Sequence, residues 1–184
     1  LYWDEVSLGY NAYSILKTAA DEHGRFLPLT NFAAFGDYKP PGYIYAAVPA
    51  VALFGLTEFA VRFPSALFGI LTVLLTYFLA RKLFEKENIA LLATFFLAIS
   101  PWHLQFSRVA FETNSATFWS VLGTWAFLKG VKSQQVKFTS WMSLAALAFG
   151  ANLFMYHNAR VFIPVFSLML MFLFRKTLLE NKKY

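Results

Sequence analysis

The residues of this 184-residue chain that could do chemistry fall at four places. Asp4-Glu5 is a carboxylate pair at the head of an amphipathic stretch. At a membrane surface such a carboxylate can act as general base toward a hydroxyl, or can be the acidic charge that a helix N-terminus favours. In Asp37-Tyr38-Lys39-Pro40-Pro41 two prolines hold an ammonium rigidly. A compact cation there suits a phosphate, or snorkels to lipid headgroups. Ser107-Arg108 and Glu112 flank the end of an apolar run. Arg108 and Glu112 are four apart, so on one helix they would share a face and pair. Ionisable groups at that depth are candidates for function. Tyr156-His157-Asn158-Ala159-Arg160 is a short polar turn. Arg160 can grip a phosphate bidentately. His157 can bind a metal, hydrogen-bond a substrate, or do neither. His23 reads as a turn histidine, and His103, beside Trp102, as part of an interfacial aromatic belt.

The elements that must position these groups are apolar helices. The chain is 58% hydrophobic, 20% aromatic and only 14% charged, too little charge for a soluble domain of this size. Of sixteen Lys/Arg, ten lie in Arg81–Asn88, Lys129–Lys137 and the segment from Arg175 on. Most acids and all His lie elsewhere. Alternation of this kind marks a multi-pass membrane protein with a basic cytoplasmic face, and it puts the four candidate places on the outer face. Five spans are expected: 63–80, 89–104 (broken near its end by Pro101), 111–128, 138–156 and 158–174. Residues 1–62 then form an outer loop and 63–184 a transmembrane bundle. Asp4 to about Ala20 reads as an amphipathic helix with Leu8, Ala12, Ile15, Leu16 and Ala19 on one face, stopped by Gly24. Asn31–Tyr38 reads as a loop. Pro40–Leu56 is apolar but short for a crossing. Crossing would also upset the parity of the basic loops, so it is expected to lie in the outer interface or to be re-entrant, with Tyr43 and Tyr45 at headgroup level. The fold class is all-α: a polytopic membrane helix bundle whose outer loop carries two juxtamembrane helices. The absence of an initial Met and the basic ending suggest a piece of a longer chain.

Several function classes drop out. The chain has no Cys, hence no thiolate nucleophile or Cys-based zinc site. No phosphate-cradling glycine loop, nucleophile elbow or metal-spaced His cluster occurs. The basic residues sit beside apolar runs and form no single stripe, so nucleic acid is not a partner. A lipid-linked substrate fits better than a soluble nucleotide.

The ordered set resembles the GT-C membrane glycosyltransferases, in particular the bacterial branch of the dolichyl-phosphate-mannose protein mannosyltransferase family, which includes the aminoarabinose transferases. The pieces that carry the resemblance are Asp4-Glu5, Gly36 to Pro41, the stretch Phe54 to Ala66, Ser100-Pro101 with Ser107-Arg108 and Glu112, and Tyr156 to Arg160 with Pro164. The resemblance implies inverting transfer of a sugar from a polyprenyl-phosphate donor to a protein, lipid or glycan hydroxyl at the outer face of the cell membrane. It matches Asp4 to the catalytic acid, the base of the reaction; Glu5 beside it is expected to support Asp4 or to share the base role. It matches Asp37 and Lys39 to the region that contacts the lipid phosphate, or in some relatives a divalent metal, for which Asp37 and His157 are the candidates here. Arg108, Glu112, His157 and Arg160 fall to substrate contacts. The alternative class is a transporter or flippase of polyprenyl-linked sugars. It would place ionisable residues near mid-membrane, where the expected spans carry none.

Overall fold

A computed structural model describes residues 2–133 and 135–181. Lys182 and Lys183 of the expected basic tail lie outside them. The described residues form nine helices and one hairpin: α1 Trp3–Thr18, β1 Phe32–Ala34, β2 Asp37–Lys39, α2 Pro41–Phe54, α3 Glu58–Phe84, α4 Glu87–Ala98, α5 Pro101–Arg108, α6 Glu112–Val131, α7 Gln135–Asn152, α8 Ala159–Leu173 and α9 Arg175–Asn181.

Every expected span is met by helix, but the boundaries differ. α3 is one helix of 27 residues, about 40 Å at 1.5 Å per residue, longer than a hydrocarbon core of roughly 30 Å. It starts on a Thr57 hydroxyl that accepts the Ala60 N–H at 3.2 Å, and it crosses the expected boundary between outer loop and bundle without a break. α4 and α5 are bent by 56° where Pro101 opens the second helix. By length and hydropathy α3 can cross a membrane alone, and the bent α4–α5 pair is a second candidate.

Two apolar cores divide the labour. The first joins α1, α2 and the start of α3 through Leu8, Ala12, Phe32, Tyr43, Ile44, Ala47 and Val61. The second joins α6, α7 and α8 through Ala126, Phe127, Ala145, Phe149 and Ile163. α1 approaches α3 closely at Gly9, where a Cβ would lie 2.5 Å from a Val61 methyl carbon.

Four expectations are corrected. Tyr43 is fully buried and its hydroxyl donates to the Val61 carbonyl at 2.9 Å. The Tyr45 hydroxyl donates to Pro28 at 3.1 Å. Tyr43 is therefore not a headgroup tyrosine, since α2 is sandwiched between α1 and α3 at that point, whereas Tyr45 is only half-buried. Residues 32–39 are a hairpin rather than a loop, with Phe32 opposite Lys39 and Ala34 opposite Asp37. Its two-residue turn puts Phe35 (φ 50°) and Gly36 (φ 82°) in the left-handed region, the twist-matched geometry for such turns. α1 ends at Ala19, itself left-handed at φ 56°, five residues before Gly24. Leu16 is 37% exposed, so the buried face runs through Leu8, Ala12 and Ile15. Finally, His103 is buried, with Nε2 3.1 Å from the Gly69 carbonyl; it ties α5 to α3 and is not part of an interfacial belt.

Candidate functional site

Asp4 and Glu5 are neighbours in sequence but about 100° apart around α1, and that rotation separates their roles. Glu5 lies on the buried face with Leu8 and Ala12 and has no exposed surface. Its carboxylate takes Arg62 Nε at 2.7 Å and Nη2 at 2.8 Å from α3, the Ala110 N–H at 2.8 Å and the Tyr2 N–H at 2.9 Å. Burial opposes the charge. The Arg62 hydrogen bonds, the two backbone N–H groups and the Arg62 charge outweigh it and pull the acid down to about 2. A carboxylate with four donors already on it is a weak base with no vacant lone pair facing a substrate. Of the two roles expected for Glu5, these contacts favour support of Asp4 over a share in the base role: Glu5 clamps α1, α3 and the α5–α6 junction together. Arg62, which also reaches Glu58 one turn earlier, was missed as a site residue. The signal was present, as an arginine embedded in an apolar run.

Asp4 faces the hairpin. Its Oδ1 is 2.8 Å from Lys39 Nζ, with the Asp4 side chain 45% exposed and Lys39 only 14%. Asp37 lies two residues before Lys39 on β2, hence on the same face, with Oδ2 at 3.7 Å from the same ammonium. Burial would discharge Lys39. The hydrogen bond to Asp4 and the charges of Glu112, Asp4 and Asp37 hold it above its ordinary range. The Asp37 acid is lowered, first by the Tyr38 N–H it accepts at 2.7 Å, then by Lys39 and His157.

The other side of the cluster comes from distant elements. Glu112, the first residue of α6, is 5% exposed and interacts electrostatically with Lys39, Asp4 and His157. Its Oε1 is buried with no hydrogen-bond partner among the described residues, an acceptor held ready inside the cluster. His157 Nε2 lies 2.6 Å from the Tyr38 carbonyl. A carbonyl only accepts, so Nε2 carries the proton. His157 is brought there because the turn after α7 rests on the start of α2. The Gly42 N–H donates to Phe154 O at 2.9 Å, and a Cβ on Gly42 would sit 2.7 Å from that oxygen.

The remaining candidates stand apart. Arg108 and Glu112 do not pair. Val109 and Phe111 are extended and break the helix between them, so the four-residue spacing no longer gives a common face. Arg108 is exposed and makes no ion pair among the described residues. Arg160 is spent on backbone, with Nη2 on Thr30 O at 3.1 Å and Nε on Leu153 O at 3.3 Å. It pins the turn after α7 to the loop before β1. Among the described residues no group of three or more His, Asp or Glu side chains is placed to hold a metal ion. Asp37 and His157 therefore have no third His or carboxylate ligand beside them among the described residues.

What the arrangement offers is a half-exposed carboxylate, an ammonium beside it and a buried acceptor, assembled from α1, β2, α6 and the turn after α7. Residues 38–184 match the family described as dolichyl-phosphate-mannose-protein mannosyltransferase. The chain belongs to that family. The matched segment carries Lys39, Glu112 and His157, while Asp4 and Glu5 precede it. A protein of Aquifex aeolicus (strain VF5), described as uncharacterized, is 28% identical over 148 residues, covering 76% of this chain and 30% of that protein. The crystal structure of ArnT from Cupriavidus metallidurans in the apo state has a similar fold. The TM-score is 0.68 at 17% identity, over 82% of this chain and 27% of that one. The chain thus spans about three tenths of the length of the relatives it matches. The family match makes it a mannosyltransferase-like membrane protein, and the likeness to ArnT shows a shared helical fold.

Proposed function

We propose that this chain carries the reaction centre of a membrane glycosyltransferase that moves a sugar from a polyprenyl-phosphate donor to an acceptor hydroxyl at the outer face, with inversion. The observation that carries this reading is the Asp4–Lys39 contact at 2.8 Å, with Glu112 and His157 around it. In one displacement the acceptor oxygen attacks the anomeric carbon and its proton passes to Asp4. The bond from that carbon to the phosphate oxygen breaks, and the lipid phosphate leaves with the electron pair. Asp4 is the only acid of the first pair free to take a proton, since Glu5 is saturated. Lys39 has three N–H donors, so it can keep Asp4 in place and still meet the charge that develops on the phosphate. Family membership supports the sugar-transfer chemistry. The five-crossing topology, with the site outside and the basic loops inside, belongs to the same proposal and rests on the charge pattern.

The test is transfer from labelled polyprenyl-phosphate sugars by the full-length protein. Asp4→Asn should lower the rate by about 10²–10⁴, the usual worth of a positioned base. Lys39→Ala should weaken use of the donor more than of the acceptor. Near-normal transfer by Asp4→Asn removes the base assignment. No transfer with any donor, together with movement of lipid-linked sugar across liposomes, replaces the whole reading by a flippase.

A further inference from the structure

The end of the bundle away from the Asp4–Lys39 cluster gathers cations that sugar transfer does not use. From Arg62 to Lys82 along α3, and from Glu112 to Lys129 along α6, the helices run roughly 25–30 Å. At that far end Lys82 lies within electrostatic reach of both Lys129 and Lys132. The Lys129 ammonium sits 4.7 Å and 4.6 Å from the ring centres of Trp125 and Trp141, and is held by aromatic faces rather than by a carboxylate. Lys132 meets Glu85 Oε1 at 2.7 Å. Lys82 and Lys132 therefore share the Glu85 carboxylate, and Lys129 beside them has no carboxylate partner among the described residues. Arg81, next in sequence, is separately occupied by the Tyr77 hydroxyl at 2.8 Å and by Glu87 at 3.9 Å.

Like charges kept together need an anion, and the space between them says which kind. A cavity of about 160 Å³ opens between α3, α6 and the end of α8, lined by Lys82, Leu83, Leu128, Val131, Lys132 and Phe174. Two lysines border it and the rest of the lining is apolar. Leu83 is 54% exposed, so the apolar wall continues onto the outer surface of the bundle. A free phosphate would meet hydrocarbon over most of that wall. A molecule with an anionic head and an apolar body meets complementary surface throughout.

We propose that this cavity is a binding site for an anionic phospholipid, its phosphate between Lys82 and Lys132 and the start of its acyl chains against Leu83, Leu128 and Phe174. Basic pockets between membrane helices bind such headgroups on general electrostatic grounds. The inference does not depend on the proposed sugar transfer.

Native mass spectrometry of the full-length protein in nonionic detergent tests it, with phosphatidylglycerol and phosphatidylcholine of identical chains as probes. The wild type should retain the anionic lipid roughly thirtyfold more tightly, the increment of two lysines at a lipid phosphate. The double variant K82Q/K132Q should bind the two lipids alike, while R81Q keeps the preference because Arg81 lies outside the cavity. Should the double variant fail to fold, raising the salt concentration on the wild type serves instead: the preference should shrink, since screening acts on charge and not on chain packing. Equal retention of both lipids by the wild type, or a preference that survives K82Q/K132Q or high salt, overturns the proposal. Displacement of the lipid by inorganic phosphate overturns it too, in favour of a free-anion site.

Discussion

Replacing Glu5 by Gln tests whether α1 is held by one carboxylate. In the folded protein the Glu5 acid is drawn from 4.5 to about 2 by Arg62 and the Ala110 and Tyr2 N–H groups acting against burial. At about 1.4 kcal/mol per unit, that difference is worth about 3 kcal/mol of stability to α1. The sign follows from linkage. A depressed folded-state acid contributes fully above its unfolded value, here about 4.5, and the contribution drains away as pH falls toward about 2. Hydrogen exchange of the α1 amides, corrected for intrinsic rates, reads it directly. Wild-type protection should fall by roughly two orders of magnitude between about pH 4.5 and 2. Glu5→Gln should start near the low value at neutral pH and lose most of that dependence. Asp21 also titrates in this direction: burial opposes its charge, and the Arg25 and His23 contacts override it. An Asp21→Asn background removes that contribution, and Asp37, which is lowered too, lies on the hairpin rather than on α1. Wild-type protection in Glu5→Gln at neutral pH, or an unchanged acid profile in the double variant, would refute the clamp.

Gly9→Ala should loosen the same junction, because its new Cβ would sit 2.5 Å from the Val61 methyl carbon. Overpacking of this kind costs about 1–3 kcal/mol and should appear as lowered α1 protection. Tyr43→Phe removes the buried bond to the Val61 carbonyl at 2.9 Å. A loss of about 0.5–1.5 kcal/mol in thermal unfolding is expected, and no loss would mean the bond adds nothing to the α2–α3 contact. Arg108→Ala should leave unfolding within about 0.5 kcal/mol of wild type, as for exposed positions without partners. If Arg108 contacts the donor, transfer falls while the melt stays put.

The positions of the helices were legible because apolar runs and basic punctuation are properties of single segments. Lys39, Asp37, Glu112 and His157 were found as candidates for a similar reason: each is a polar residue at the edge of an apolar stretch, where its cost has to be met by something. What the sequence did not show is which of them meet. His157 reaches the hairpin only because Gly42 lets the turn after α7 rest on α2, and no local pattern announces a contact between residues 42 and 154. The Arg108–Glu112 pair failed on the converse ground. A four-residue spacing implies a shared face only inside one helix, and the extended Val109 and Phe111 put the two residues on different helices. Tyr43 failed as a headgroup residue because an amphiphilic ring is equally at home at a headgroup or against a buried carbonyl, and only the packing of α1 and α3 decides between them.

Asp4 and Glu5 show most plainly why residue type alone cannot assign a role. The two carboxylates have nearly the same chemistry and adjacent places in the chain, and the turn of one helix sends them to opposite fates. The inward one gathers four donors and becomes an anchor whose proton affinity is too low to be useful. The outward one is left with a single ammonium and about half its side chain open. The anchor also serves its neighbour. By fixing α1 against Arg62 and Ala110, Glu5 fixes the face from which Asp4 projects, so Asp4 meets Lys39 without being enclosed by it. A base that must receive a proton from an incoming hydroxyl needs both conditions: a rigid support, and an unfilled side toward the substrate. On this argument Glu5→Gln should impair transfer through Asp4's position rather than its chemistry. Glu5→Asp, which keeps the charge but shortens the reach to Arg62, should impair it as well.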